Sequence, residues 1–463
     1  MRLERSLLLL ALALPLAGCP VADDDDSVAN DDDDGVPSTY SFPSRLGDGS
    51  DSVSHSGQTF RHVLIADMKS RIGGMTDRID AGWFPSEGEV TAELDFYFSF
   101  DGDSSSDIPH GVVTDPAPLQ VTYGDIASGK DLVGKLAGND ATGQHVDWST
   151  EFKGWTPGAT PESLVRGWFD RIDEQAIDWS NGTYPTDLAG APLGAVFITE
   201  EGTDLQQLLQ KFLLGAVAFS QGADDYLDDD IDGKGLRSNH DAVEDGKNYT
   251  ALEHAWDEAF GYFGMSRDYG LWTDDEIANE GVRDSVNADG AIDLLSEVTW
   301  GHAQNAAKRD RCADCAAPTD FTRQAWDAFV HGRAYIASKD ASLTDAEIAE
   351  LVVFRDAAVA AWEKAIAATA VHYINDLTAD VDAFDTAEFS FADYAKHFSE
   401  LKGFALSLQF NGLSPLSDAD FVELHELLGN APDTTADYRA DLVAARTLIG
   451  AAYGFEDGNV VVW

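Results

Sequence analysis

Residues 344–376 read TDAEIAELVVFRDAAVAAWEKAIAATAVHYIND, and this run decides the fold class. Thr344 and Glu347 have capping-box spacing, in which the Thr hydroxyl and the Glu carboxylate take up the first free amides of a helix. Ile348, Val352, Val359, Trp362, Ile366, Ala370 and Tyr373 then recur at three-, four- and seven-residue steps, with no Gly or Pro between them. The spacing predicts one long amphipathic helix.

The same punctuation continues on both sides. Towards the N-terminus, Phe60, Val63, Leu64, Met68 and Ile72 predict a helix over 56–72 that Gly73-Gly74 ends. Thr160-Pro161 supplies an N-cap and a first-turn proline for a helix to about Asp178. Thr203 and Gln206 form a second box ahead of the stripe Leu205, Leu208, Leu209, Phe212, Leu213, Ala216 and Phe219, and Thr250 and Glu253 form a third. Further helices are predicted at 273–279, 292–310, from Thr319-Asp320 through Ile336, and at 390–410, 417–428 and 435–453. Residues 87–100 fit either period and are read as helix from their surroundings, whereas 101–160 are rich in Gly, Asp, Ser and Pro and read as loops. The expectation is an all-α chain of antiparallel helices packed as one or two bundles, with long acidic loops.

The first residues give an address. Arg2 and Arg5, the apolar run Leu7–Leu14 and then Leu16-Ala17-Gly18-Cys19 have the layout of an export signal. The Leu-Ala-Gly-Cys sequence resembles a bacterial lipobox, which implies cleavage after residue 18 and lipid on Cys19. Residues 19–38, with Asp23–Asp26 and Asp31–Asp34, have almost nothing to bury and read as an acidic tether to a globular region over 39–463. The expected location is the cell envelope, anchored by lipid in the outer membrane. The 463 residues include 83 acids and 30 bases, a formal charge of −53, and 74 acids against 28 bases remain beyond residue 34. Such a surface repels phosphate backbones, which argues against nucleic acid, and it attracts cations.

Three constellations bear on chemistry. In TALEHAWDEAFGYFG, residues 250–264, an apolar stripe of Leu252, Trp256, Ala259, Phe260 and Phe263 lies opposite His254, Asp257, Glu258 and Gly261. That second face is either solvated or lines a cleft that holds a cation, with Gly261 letting something approach the backbone. Two acidic loops have partial EF-hand spacing: Asp228, Asp230 and Asp232 before Gly233, and Asn287, Asp289, Asp293 and Glu297 around Gly290. Calcium in either place would be structural, and Asx turns between helices are the other account. Cys312 and Cys315 read as a local disulfide staple in an exported protein. No nucleophile elbow, phosphate-binding loop, dinucleotide fingerprint or His-Glu-x-x-His is present, so neither a nucleotide nor an organic cofactor is expected. His302, His331, His372 and His397 lie in helical stretches and are candidates to approach the His254 face after folding.

The series SGQT (56–59), DLQQLLQKFLLGAVAFSQGADDYL (204–227), LEHAWDEAFGYFG (252–264), NAAKRDR (305–311), AWEKAIAATAVHYINDL (361–377) and HFSELKGFALSLQFN (397–411) resembles an uncharacterised bacterial lipoprotein family, domain-of-unknown-function family 4856. A looser similarity is to imelysin-like envelope proteins, helical bundles linked to iron uptake and once classed as peptidases. Their Gly-x-His-x-x-Glu motif is matched by His254, with Leu252 in place of the glycine and Asp257 in place of the glutamate, followed by Glu258. The resemblance implies a lipid-anchored, all-helical envelope protein that binds a cation and assists iron or other metal acquisition beside an envelope receptor or transporter. Carboxylates with imidazole suit iron or manganese. The alternatives are a metal-assisted hydrolase and a non-catalytic surface interaction protein with calcium-stiffened loops.

Overall fold

In the computed structural model, described for residues 36–102, 106–140, 142–435 and 437–463, the helix that begins at Thr344 spans Asp345–Asp382. Its capping box is formed: Thr344 accepts from the Glu347 amide, and Glu347 accepts from the Thr344 amide at 3.0 Å. The helix runs six residues beyond the expected end, because Leu377 and Thr378 still face the core. It is the axis of the fold. Phe321–Ala337, Gly301–Asp310, Phe391–Ser407 and Tyr438–Tyr453 all pack along it. Buried Ala358, Ala361, Ala365 and Ala368 let these neighbours approach closely, and Trp362 and Ile366 fill the space between. The short connections 338–344 and 383–390 fold the chain back at each end of the axis, which gives antiparallel neighbours.

Ser56–Gly73, Glu89–Phe98 and Pro161–Ser180 pack together, and Leu205–Leu213 joins them to the rest by touching both Ser56–Gly73 and Phe391–Ser407. The helix expected over 87–100 is thus present, as Glu89–Phe98. Among the described residues of the loop region 101–160, single turns form at Tyr123–Ile126, Val133–Lys135 and Trp148–Glu151. Among the described residues no strand forms; isolated bridges such as Pro118 with Ile292 are the limit of extended pairing. Val36–Trp463 forms one compact unit. None of the described helices is long and apolar enough to cross a membrane. The signal, Cys19 and the acidic runs lie outside the described residues.

Three local expectations need correction. The N-cap before Leu205 is Asp204, whose carboxylate accepts from the Gln207 amide at 3.0 Å, one residue later than the Thr203 box. Thr203 is held instead in a turn with Thr199, while Ser399 Oγ accepts from the Asp204 amide at 2.7 Å. Beyond Leu213 the stripe does not continue as α-helix but widens into π turns at Leu214–Phe219 and Gly222–Tyr226. The helix expected over 292–310 begins only at Gly301. Residues 292–300 are instead tied into a loop, where Glu297 takes the amides of Val286 and Asp293, each at 2.9 Å.

Candidate functional site

The residues singled out around His254 do not line a cleft. Ala251–Phe263 is buried almost all round, so its polar side is packed and not solvated. Asp257 is fully buried; its Oδ1 accepts from Tyr40 Oη at 2.8 Å and from Arg333 Nε at 2.9 Å, and its Oδ2 accepts from the Ser54 amide at 3.2 Å. Arg333 also reaches Glu253 Oε1 at 3.3 Å and Ser52 Oγ at 2.7 Å. Asp257 is therefore a structural tie. Gly261 admits a protein neighbour and not a ligand: a Cβ there would stand 2.6 Å from His55 Cβ. His254 and Glu258 remain side by side, Nε2 to Oε1 at 3.8 Å, with Gln58 Nε2 donating to the same oxygen at 2.8 Å.

The four histidines that were candidates to approach His254 go elsewhere. His302 accepts from Trp362 Nε1 at 2.8 Å, His331 bonds the Asp327 carbonyl, and His372 and His397 gather at Asp376 and Asp380. His55, which the sequence did not single out, is the histidine buried beside His254.

Of the two acidic loops, the later one does not converge on a cation. Glu297 is spent on backbone amides, Asn287 and Asp289 close Asx turns on Asp289 and Ala291, and Asp293 takes Gln120 Nε2, the Leu295 amide and Ser296 Oγ. In the earlier loop, ligand atoms of Asp228, Asp229 and Asp230 lie within 4.8 Å of one another, without Asp232. Arg355 already contacts Asp229 Oδ1 with two nitrogens at 3.3 Å. Cys312 and Cys315 are bonded, at 2.08 Å, just past the Gly301–Asp310 helix.

Polar groups converge elsewhere, on two clefts that share Asn411 and are separated by the loop through Ser414. On one side is a cavity of about 270 Å³ walled by Val359, Ala360, Leu413 and Pro415, with Asp356 and Lys364 also lining it. At its wall sits Glu363, 1% exposed. Its Oε1 accepts from Ser414 Oγ at 2.5 Å and Tyr453 Oη at 2.7 Å, and its Oε2 accepts from Asn411 Nδ2 at 2.5 Å. Oε1 thus has both lone pairs engaged and Oε2 one of two. Burial pushes the Glu363 carboxyl up, against the lowering by these three donors.

On the other side is a cleft of about 300 Å³ lined by His145, Trp148, Glu151, Lys153, Asn411, Ser414, Asp418 and others. His145 enters it from the loop region, held by Asp224 on the second π turn. The wide turn depends on Gly222, where a Cβ would stand 2.6 Å from Trp362 Cη2. π turns often mark functional positions because they re-aim side chains that an α-helix would place elsewhere. This one aims Asp224 at His145 and Asp225 at Lys234.

The protein is therefore an all-α helical bundle with two clefts that share a wall. Residues 162–427, more than half of the chain, match the family model described as Domain of unknown function (DUF4856), and the chain belongs to that family. The matched span includes Asp224, Glu363, Asn411 and Ser414, and leaves His145 and Tyr453 outside it. No curated protein and no solved structure gives a significant match.

Proposed function

We propose that this is a lipid-anchored cell-envelope protein that binds a small organic cation, an ammonium group on an apolar body, with the ammonium at Glu363. The observation that carries this reading is a buried carboxyl held by three neutral donors on the wall of a mostly apolar cavity. A carboxylate buried among neutral donors is costly, and a bound ammonium offsets its charge while its alkyl part covers Val359, Ala360, Leu413 and Pro415. The net charge of −53 favours approach of cations over anions. Anchoring through Cys19 and work beside an envelope receptor or transporter belong to the same reading, on the strength of the lipobox.

The cation expected from the sequence thus moves from His254 to Glu363. It also changes class, because one carboxyl offers a transition metal a single side-chain ligand, whereas one open lone pair suits one N–H. Titration calorimetry with propyl- and butylammonium, and in parallel with Ca²⁺ and Mn²⁺, tests it. The expected result is saturable binding of the ammonium compounds that falls at least tenfold in Glu363→Gln. Ammonium binding that is absent, or equal in the variant, refutes it. Palmitate labelling that persists in Cys19→Ser would refute the anchor.

A further inference from the structure

Across the loop through Asn411 and Ser414 from Glu363, the cleft on the His145 side contains an arranged acid–base pair. His145 Nδ1 lies 2.7 Å from both carboxylate oxygens of Asp224, so Nδ1 carries the proton and donates it to that carboxylate. The unprotonated nitrogen is then Nε2. The His145 amide also donates to Asp224 Oδ2 at 3.2 Å, and the ring stands edge-on to Trp148 at 5.2 Å, so its position is fixed from two sides. The Asp224 side chain is 6% exposed and that of His145 is 31% exposed, which places the orienting acid inside and the imidazole at the cleft. Lys153 lines the same cleft, its ammonium 2.5 Å from Asp418 Oδ2. A base oriented by a buried acid at the edge of a cavity is an arrangement that general-base hydrolysis uses.

We propose that His145 is the general base of an esterase site, that Asp224 is its positioning residue, and that the substrate is a small uncharged carboxylic ester. Nε2 takes a proton from water as the water oxygen bonds to the ester carbonyl carbon, and the carbonyl π pair moves onto the carbonyl oxygen. Lys153 offsets the charge on that oxygen. The pair then returns, the bond to the alcohol oxygen breaks, and the imidazolium gives its proton to the leaving alkoxide. Ester and water become acid and alcohol, and His145 and Asp224 end as they began. Glu151 and Asp418 in the same cleft disfavour phosphate esters, which carry negative charge.

The test is hydrolysis of p-nitrophenyl butyrate and of ethyl butyrate by the mature chain, with His145→Gln as the main variant, since Gln keeps a donor for Asp224 and cannot accept the proton. General-base catalysis contributes about 10²–10⁴-fold. His145→Gln is therefore expected to lose about 100-fold or more in kcat/KM, while butylammonium binding stays unchanged. Asp224→Asn is expected to lower kcat at least tenfold with KM within about twofold, and the wild type is expected to show a normal solvent deuterium isotope effect. Turnover by His145→Gln equal to wild type, or no turnover by wild type above buffer, overturns the proposal. So does an Asp224→Asn loss that falls wholly in KM.

Discussion

Arg333→Met gives the sharpest measure of what holds the centre of this molecule together. The guanidinium is 0% exposed and lies between Asp257 at 2.9 Å and Glu253 at 3.3 Å, two side chains that are themselves buried. Met fills much of the volume but removes the cation, and leaves two carboxylates facing each other out of water. Breaking a buried ion pair from one side costs about 3–5 kcal/mol, because the remaining charge has no compensation. With roughly 2.1 cal/mol/K of unfolding entropy per residue, the unit Val36–Trp463 has about 0.9 kcal/mol/K, so Tm falls by about 3–6 °C. Adding Asp257→Asn removes one of the two stranded charges, and the double variant is expected to melt above the sum of the single losses, by about 1–2 kcal/mol. Calorimetry with and without EDTA is the assay. A fall below about 1 °C, strict additivity, or a loss that appears only when metal is present would refute the assignment of Asp257 as a structural tie.

Four other outcomes follow from particular contacts. Burial lowers His62 to about 4, against the ordinary 6.5, so its contribution is fully present above pH 6.5 and is lost as pH falls towards 4. Over that window His62→Gln is expected to lose about 3 kcal/mol less than wild type in urea melts. Glu363 has the opposite sign, because its raised folded-state pKa gives a contribution present at low pH and lost as pH rises; Glu363→Gln is therefore expected to gain Tm over wild type on the alkaline side, with little difference near pH 4. Gly261→Ala drives a Cβ to 2.6 Å from His55 Cβ and 3.0 Å from Gln58 Cβ, and overpacking of this kind costs about 1–3 kcal/mol in chemical denaturation. The Cys312–Cys315 bond spans a sequence separation of 3, so its reduction is expected to cost only about 2 kcal/mol, read as a small Tm shift with reductant.

The helices were legible because their starts are chemical. Thr160, Thr250, Thr273 and Thr344 each accept from the amide three residues on, as the residue types require. Residues 292–300 misled because Ile292, Leu294 and Val298 are buried in a loop whose ties come from the Glu297 carboxylate, a contact with no period. The polar side of Ala251–Phe263 misled for another reason: periodicity separates two faces but does not say that the second one is also covered. Glu363 carried a usable signal. It lies four residues after Val359 and three before Ile366, inside the core stripe of the long helix, and an acid at such a position is either paired or functional. Asp224 follows Ala216 and Ser220 at four-residue steps, the same kind of intrusion. His145 had none, since it enters from a Gly- and Asp-rich loop and meets Asp224 only through a π turn that no spacing announces.

The wall between the clefts is only the loop through Asn411 and Ser414, whose polar atoms already hold Glu363 on one side while the same residues line the cleft of His145 on the other. An ammonium that draws the Glu363 carboxylate towards itself pulls on Asn411 Nδ2 and Ser414 Oγ, and so reshapes the opposite cavity. Linkage then makes the effect mutual: whatever factor the first occupant imposes on the affinity of the second is returned to it. Two molecules that never touch would compete or cooperate through four residues of chain, and equal fold-changes in both directions of titration are its measurable mark.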